Sequence, residues 1–271
     1  VKHHRDLAAG GVGMTTVAYM AVAPEGRTLP NQIWMREEVL PHLKALTDAV
    51  HAEGAAISAQ LTHGGSFVTG MRVSGRTISS SSGFNAAGAL KGNLLSRAMN
   101  EDDMARVIAE FVRGAEMCRE AGFDAVELHM GHGYLLNQFI SPLSNRRSDR
   151  YGGSAVNRVR FPARVLGAVK QAVGQDLAVL AKISVADGVR RGTQVEDSIV
   201  TARELEAAGA DMLVLSGGRN VESTWYMFGS RMNRLEISKV LKSQGERVTA
   251  LMMKAAAASE PAVQFREMYF L

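Results

Sequence analysis

A single cysteine, Cys118, stands in 271 residues, so no intrachain disulfide can form and a reducing compartment fits. No apolar run approaches the ~20 residues of a membrane span, and no signal peptide is visible, which leaves a cytoplasmic protein as the expectation. Charge of one sign is scarce: the formal net charge is +4, modest enough to suit an anionic ligand without indicating nucleic acid. A nucleotide fingerprint is also missing. "GGVG" at 10–13 leads into a strand and does not link a strand to a helix, and "SGRTISSSSGF" at 74–84 has no phosphate-loop pattern.

What is present is a soluble composition, 46% hydrophobic and 21% charged, in a chain long enough for a sizeable core. A phrase then recurs: helix-forming residues, a glycine, and a short β-rich run. It reads "DLAAGGVGMTTVAY", "HAEGAAISAQL", "CREAGFDAVELH", "KQAVGQDLAVLAKIS" and "LEAAGADMLVLSGG". Gly10, Gly54, Gly122, Gly174 and Gly209 occupy helix C-cap positions, and the apolar runs behind them suit parallel strands buried on both faces. Between them the spacing predicts helices. Asn100 caps one with Met104, Val107, Ile108, Phe111, Ala115 and Cys118 as its apolar stripe. Another opens with a capping box of Thr193 and Glu196 and turns Ile199, Ala202 and Leu205 inward. Pro41 and Pro162 imply a late start or a kink in two more.

Strands alternating with helices mean βα units, in a doubly wound sheet or a (β/α)8 barrel. Polar residues punctuate the strand ends: Gln60 and His63, His129 and His132, Lys182 and Asp187, Ser216. A barrel gathers such positions on one face, so the reading is a barrel, with 62–99, 130–153 and 217–247 as loops over that face or loops with short inserted elements.

Taken singly, these residues leave alternatives open. His129, His132 and Tyr134 fall within six residues of each other. A zinc site would recruit His63, Asp187 or Glu127, while paired imidazoles can instead grip one carbonyl oxygen with the tyrosine as proton donor. Lys182, in "VLAKISV", is either a Schiff-base nucleophile or the counter-charge of an anionic cofactor. Gln60 offers a donor and an acceptor on one amide. The arginines of "NRRSDRYGGSAVNRVRF" (Arg146, Arg147, Arg150, Arg158, Arg160) read as an ordered loop leading into a helix capped by Ser154, not as a nucleic-acid patch.

The order of "AAGGVGM", "AVAPEGR", "AQLTHGG", "GFDAVELHMGHGYLLNQFISPLSNRRSDRYGGS" and "ISVADG" resembles the Old Yellow Enzyme family, the FMN-dependent NADH:flavin oxidoreductases, over nearly the whole chain. The resemblance implies a (β/α)8 TIM barrel with FMN at its C-terminal mouth and NADH or NADPH as reductant. It further implies hydride transfer through the flavin to the C=C bond of an α,β-unsaturated carbonyl. Gln60 matches the amide that reads the flavin pyrimidine edge. Lys182 matches a position commonly arginine against the flavin N1–C2 side, Tyr19 a wall near the flavin where many members carry a small residue. His129 and His132 match the pair that holds the substrate carbonyl or a phenol, and Tyr134 the proton donor. The implied partner is a small-molecule substrate; no nucleic acid, membrane or metal is expected, and a homo-oligomer is compatible. Residues 1–271 read as a single FMN-dependent oxidoreductase domain truncated at both ends, carrying barrel strands two to six. Rival readings are a non-redox barrel (a Schiff-base aldolase or a metal hydrolase) and a non-catalytic fragment.

Overall fold

The computed structural model describes residues 1–223 and 226–227. Its framework is a five-stranded, all-parallel sheet: β1 (Met14–Ala21), β2 (Ala56–Thr62), β6 (Ala125–Met130), β7 (Ala178–Ser184) and β8 (Met212–Ser216), hydrogen-bonded in that order. Sequential neighbours in a parallel sheet need crossover helices, and α2 (Leu40–His51), α3 (Glu101–Glu120), α5 (Ala155–Val173) and α6 (Val195–Ala207) supply them; α1 (Lys2–Ala9) precedes β1. This is, among the described residues, five strands of an open βα barrel, the number that the repeat predicts. Among the described residues no pairing joins β1 to β8, so both remain edges, and Met14 and Leu215 on them are exposed.

Alternation along the strands sorts two faces. Ile57, Ala59, Leu61, Val126, Leu128, Met130, Val179, Ala181 and Ile183 turn toward the helices and are almost fully buried. There they meet Val107, Phe111, Ala115 and Cys118 of α3 and Val165, Leu166 and Val169 of α5 in one core cluster. The other face, which a barrel encloses, carries Gln60, Glu127, His129, Lys182 and Ser184. Chemistry sits on that face, at the strand ends.

The long connection after β2 holds inserted elements. A three-stranded sheet forms from β3 (Thr77–Ser79), β4 (Gly83–Phe84) and β5 (Leu95–Ala98), ordered β3-β5-β4. It is fastened to α4 (Leu135–Ile140) and the turn after it, where the Ser80 hydroxyl meets the carbonyls of Gln138 (2.6 Å) and Ser144 (3.1 Å). The arginine-rich stretch is internal mortar, as expected. Arg147 donates to the Ser80 and Met99 carbonyls, and buried Arg158 donates to the Ile140 carbonyl (2.7 Å) and pairs with Asp197 (2.8 Å). The expected loop at 217–247 lies outside the described residues beyond 223, apart from 226–227.

Three local expectations need correction. Gly10 is not left-handed (φ −76°); the turn after α1 places Gly11 there instead (φ 92°), one residue later. The capping box of α6 is Gln194 with Asp197, not Thr193 with Glu196, because the Thr193 N–H is drawn off to Asp187 (2.7 Å). Ile199 faces outward, 48% exposed, because the buried stripe of α6 runs through Ser198, Thr201 and Leu205. Pro41 starts α2, and Pro162 lies inside an uninterrupted α5.

Asn100 caps α3 in a full capping box: its side chain accepts from the Asp103 N–H (2.9 Å), and Asp103 accepts from the Asn100 N–H (3.0 Å) while pairing with Arg97. Asn100→Ala should therefore cost about 1 kcal/mol. A lower urea midpoint at constant m-value is the expected result; an unchanged midpoint would show the cap contributes nothing.

Candidate active site

β6 ends in the core of the site. Glu127 and His129 share its inner face, and the chain then turns through Gly131 and His132 to Tyr134, the N-cap of α4. His132 has φ 59°, a left-handed conformation that costs a non-glycine residue roughly 1–2 kcal/mol. Cross-strand bonds hold it there. Its N–H donates to Ser184 Oγ (3.2 Å), and its carbonyl accepts from the Asn220 N–H (3.1 Å).

The two imidazoles form a directed chain. The Gly131 N–H donates to His129 Nδ1 (3.3 Å), which leaves the ring proton on Nε2. That Nε2 lies 3.2 Å from His132 Nδ1, and His132 Nε2 lies 2.7 Å from Ser216 Oγ. With both rings neutral, each donates onward and the chain ends on a hydroxyl. The pair is thus bonded through itself, not splayed toward a common vacant point. Both rings are neutral for a clear reason. Burial pushes the His132 pKa down to about 4, with the Lys182 charge adding to it, and His129 is held well below the usual imidazole range by burial, His132 and Lys182. Tyr134 packs edge-on against His129 with ring centroids 4.5 Å apart. Burial first, then neighbouring Tyr19, pushes its phenol up, so it keeps its proton at any ordinary pH.

Of the residues expected from sequence, Tyr19 joins this group, its ring 5.2 Å from Tyr134 and 6.3 Å from His129. Lys182 is the register partner of His129 across β6 and β7, so its half-buried ammonium shares the same face. It has no hydrogen-bond or ion-pair partner among the described residues. Gln60 sits one strand over, beside Glu127 in register, and its Nε2 donates to the Glu127 carboxylate. The sequence shows Ser216 only as a strand-end residue; its bond to His132 spans 84 positions. Arg219 and Asn220 are further residues of this group, and their signal in the sequence is "SGGRN", which places polar residues just past a strand end as for the others.

The residues that a zinc reading would recruit do not assemble. Asp187 accepts from Ser141 Oγ (2.6 Å) and the Thr193 N–H, and Glu127 is engaged by Gln60. His63 lies instead by Glu25 and Glu110, with one ligand atom of each within 4.8 Å of the others. Arg106 already bridges those two carboxylates at 2.7 and 2.6 Å. His63 Nδ1 accepts from the Gly65 N–H (3.0 Å), which puts a proton on the Nε2 facing the group. Arg106 and the two carboxylates form an ion-pair cluster, with the neutral His63 ring beside it and outside any ion pair.

Comparison with known proteins shows the family of the chain. The family described as "NADH:flavin oxidoreductase / NADH oxidase family" matches residues 1–252. A 4,4'-dithiodibutanoate disulfide reductase of Rhodococcus erythropolis is 38% identical over 274 residues, covering 100% of this chain and 66% of that protein. An NADPH dehydrogenase of Listeria innocua is 36% identical, covering 80% of this chain and 62% of its own length. The chain thus spans under two thirds of these curated relatives. Among solved structures, an Old Yellow Enzyme from Pichia sp. AKU4542 superposes with a TM-score of 0.68 at 25% identity, over 83% of this chain and 63% of that one.

Proposed function

The chain belongs to the NADH:flavin oxidoreductase / NADH oxidase family, and from that premise we propose that residues 1–271 are one FMN-dependent barrel domain of a cytoplasmic NAD(P)H oxidoreductase reducing the C=C bond of α,β-unsaturated carbonyls. When bound, FMN supplies the redox chemistry, accepting a hydride from reduced nicotinamide and passing it to the substrate. The residues present suit that cofactor. The observation that carries the proposal is Lys182, an ammonium on the inner face with no anionic partner among the described residues. Gln60 presents a free Oε1 nearby, and Thr62 Oγ1 on the same strand face is buried without a partner. Gln60 and Lys182 are the residues that hold the ring, with Tyr19 as its wall.

His129 and His132, both neutral donors, hold and polarise the substrate carbonyl by exchanging their present bonds to His132 and Ser216 for bonds to the incoming oxygen. Tyr134 retains a proton for the α-carbon. A disulfide is the second reading of the substrate, favoured by the identity to the Rhodococcus disulfide reductase. Nicotinamide oxidation with cyclohexenone against a dialkyl disulfide decides between them.

The test of the proposal is Lys182→Met. Losing a charge-assisted contact worth ~1.5–3 kcal/mol should weaken FMN binding by roughly 10- to 100-fold, read by quenching of flavin fluorescence. Borohydride with a carbonyl compound should leave Lys182 unmodified. FMN affinity indifferent to the substitution, or a trapped adduct at Lys182, overturns the proposal in favour of the Schiff-base rival.

A further inference from the structure

A cavity of about 190 Å³ opens beside His132, between the inserted three-stranded sheet and the segment after β8. Two guanidinium groups line it. Arg219 is buried (7% exposed) and is fixed by its Nε to Glu222 (3.0 Å), with longer contacts of 3.4 Å from Nη1 to Asn137 and Ser144. Arg146 comes from the loop after α4; its guanidinium donates to the Ser82 carbonyl (3.2 Å) and has no carboxylate partner among the described residues. The Ser66 and Ser79 hydroxyls, also on the wall, have no hydrogen-bond partner among the described residues. Against two cations stands one lining carboxylate, Glu222, and His132 is neutral. The cavity therefore carries one uncompensated positive charge and spare donors.

We infer that this cavity is a carboxylate subsite, and that the preferred substrates carry a carboxylate a few bonds from the group held by His129 and His132. The inference rests on the proposed oxidoreductase reading and narrows it to anionic substrates. Volume supports a tail and not a whole ligand, since complete small-molecule pockets run from about 300 Å³ upward. A guanidinium fork bonds a carboxylate bidentately, and a buried one does so with less solvent competition. His132 and Arg219 share the wall because their backbones pair as an isolated bridge, so a ligand on the imidazole is already beside the guanidinium. Glu222 engages Nε alone and Nη1 holds only its two 3.4 Å contacts, so Nη2 keeps its donors unused among the described residues and an arriving carboxylate has only those long contacts to displace.

Calorimetry on the FMN-loaded protein with a matched pair, 4-ethylphenol and 3-(4-hydroxyphenyl)propanoate, tests this. The two differ in the carboxylate. Wild type should bind the propanoate roughly 10-fold or more tightly, the scale of a charge-assisted pair. Arg219→Met and Arg146→Gln should each move the ratio toward one, and Arg219→Lys should recover part of it. Glu222→Gln removes the competing carboxylate and should raise the ratio, a gain that a merely structural role for Arg219 does not produce. If Arg219→Met does not fold, Arg146→Gln and Glu222→Gln decide. Binding of both phenols with a ratio near one in wild type, or a ratio unmoved by those variants, overturns the inference and leaves the histidine pair standing. If neither phenol binds, the reading of the histidine pair falls, and the subsite with it.

Discussion

Replacing His129 and His132 together by alanine is expected to weaken phenol binding to the FMN-loaded protein by on the order of 30-fold to 10⁴-fold. Two hydrogen bonds are lost, each worth ~1–3 kcal/mol, and every 1.4 kcal/mol is about tenfold in affinity. The single variants should not be equal. His132 both donates toward Ser216 and accepts from His129, so His132→Ala leaves the buried Nε2–H of His129 without its acceptor. His129→Ala instead frees the Gly131 N–H, a backbone donor at the longer distance of 3.3 Å, and leaves His132 Nδ1 without its donor. The two single variants thus leave different groups unpaired, and their urea midpoints should separate accordingly. Tyr134→Phe, by contrast, should leave phenol affinity within several-fold while slowing the proposed reduction of the C=C bond, because the role proposed for this phenol is to hold a proton. Phenol affinity that survives the double substitution would remove the pair from the proposed site. Flavin absorbance titrated with phenol reads every variant.

The second large effect is loss of stability in mild acid. Three buried imidazoles are held below their unfolded value of ~6.5: His132 and His63 to about 4, and His129 likewise well below it, with burial the leading cause in each. Between pH 6.5 and 4 the unfolded chain binds these protons and the folded chain does not, so stability falls as pH falls through that window. A shift from 6.5 to about 4 corresponds to about 3 kcal/mol per group at the acid end. Two such groups approach the whole ~5–15 kcal/mol stability of a typical domain. Glu110, pushed up by its own burial, acts in the opposite direction and cannot offset three histidines. Asp103 and Asp149, lowered mainly by their arginine partners, lose their contribution only at still lower pH. Urea midpoints taken from pH 7 to 4.5 should drop steeply below pH 6. His63→Gln, which cannot take up a proton, should flatten the slope. A midpoint independent of pH across that range would mean that these rings are not held neutral by the fold.

How much of this was legible in advance follows from the range over which each interaction acts. The capping asparagine, the apolar stripe on α3 and the positive-φ glycines at 54, 122, 174 and 209 are settled within a few residues, and the structure contains each of them. Helix α6 shows the boundary of that method. Thr193 and Glu196 have the right spacing for a capping box, yet Asp187, six positions upstream, captures the Thr193 N–H and moves the cap to Gln194. Local rules proposed two adjacent solutions, and a buried carboxylate chose between them.

From the sequence alone came the parallel βα repeat, the gathering of polar strand-end residues on one face, and the choice of His129, His132, Tyr134, Gln60 and Lys182. Periodicity, glycine caps and a lysine in an apolar strand are all carried by neighbours in the chain. Tertiary structure alone decided which of these residues touch. His132 reaches Ser216 across 84 positions, Gln60 reaches Glu127 across 67, and Lys182 stands beside His129 because β6 and β7 pair in that register. Register is a collective choice made by whole strands burying one face against the helices, and a slip of one residue would turn each of these groups to the other side. Arg219 joins the site by the same route: the β7–β8 register carries the chain after Ser216 back along the β6 loop, and there it pairs with His132.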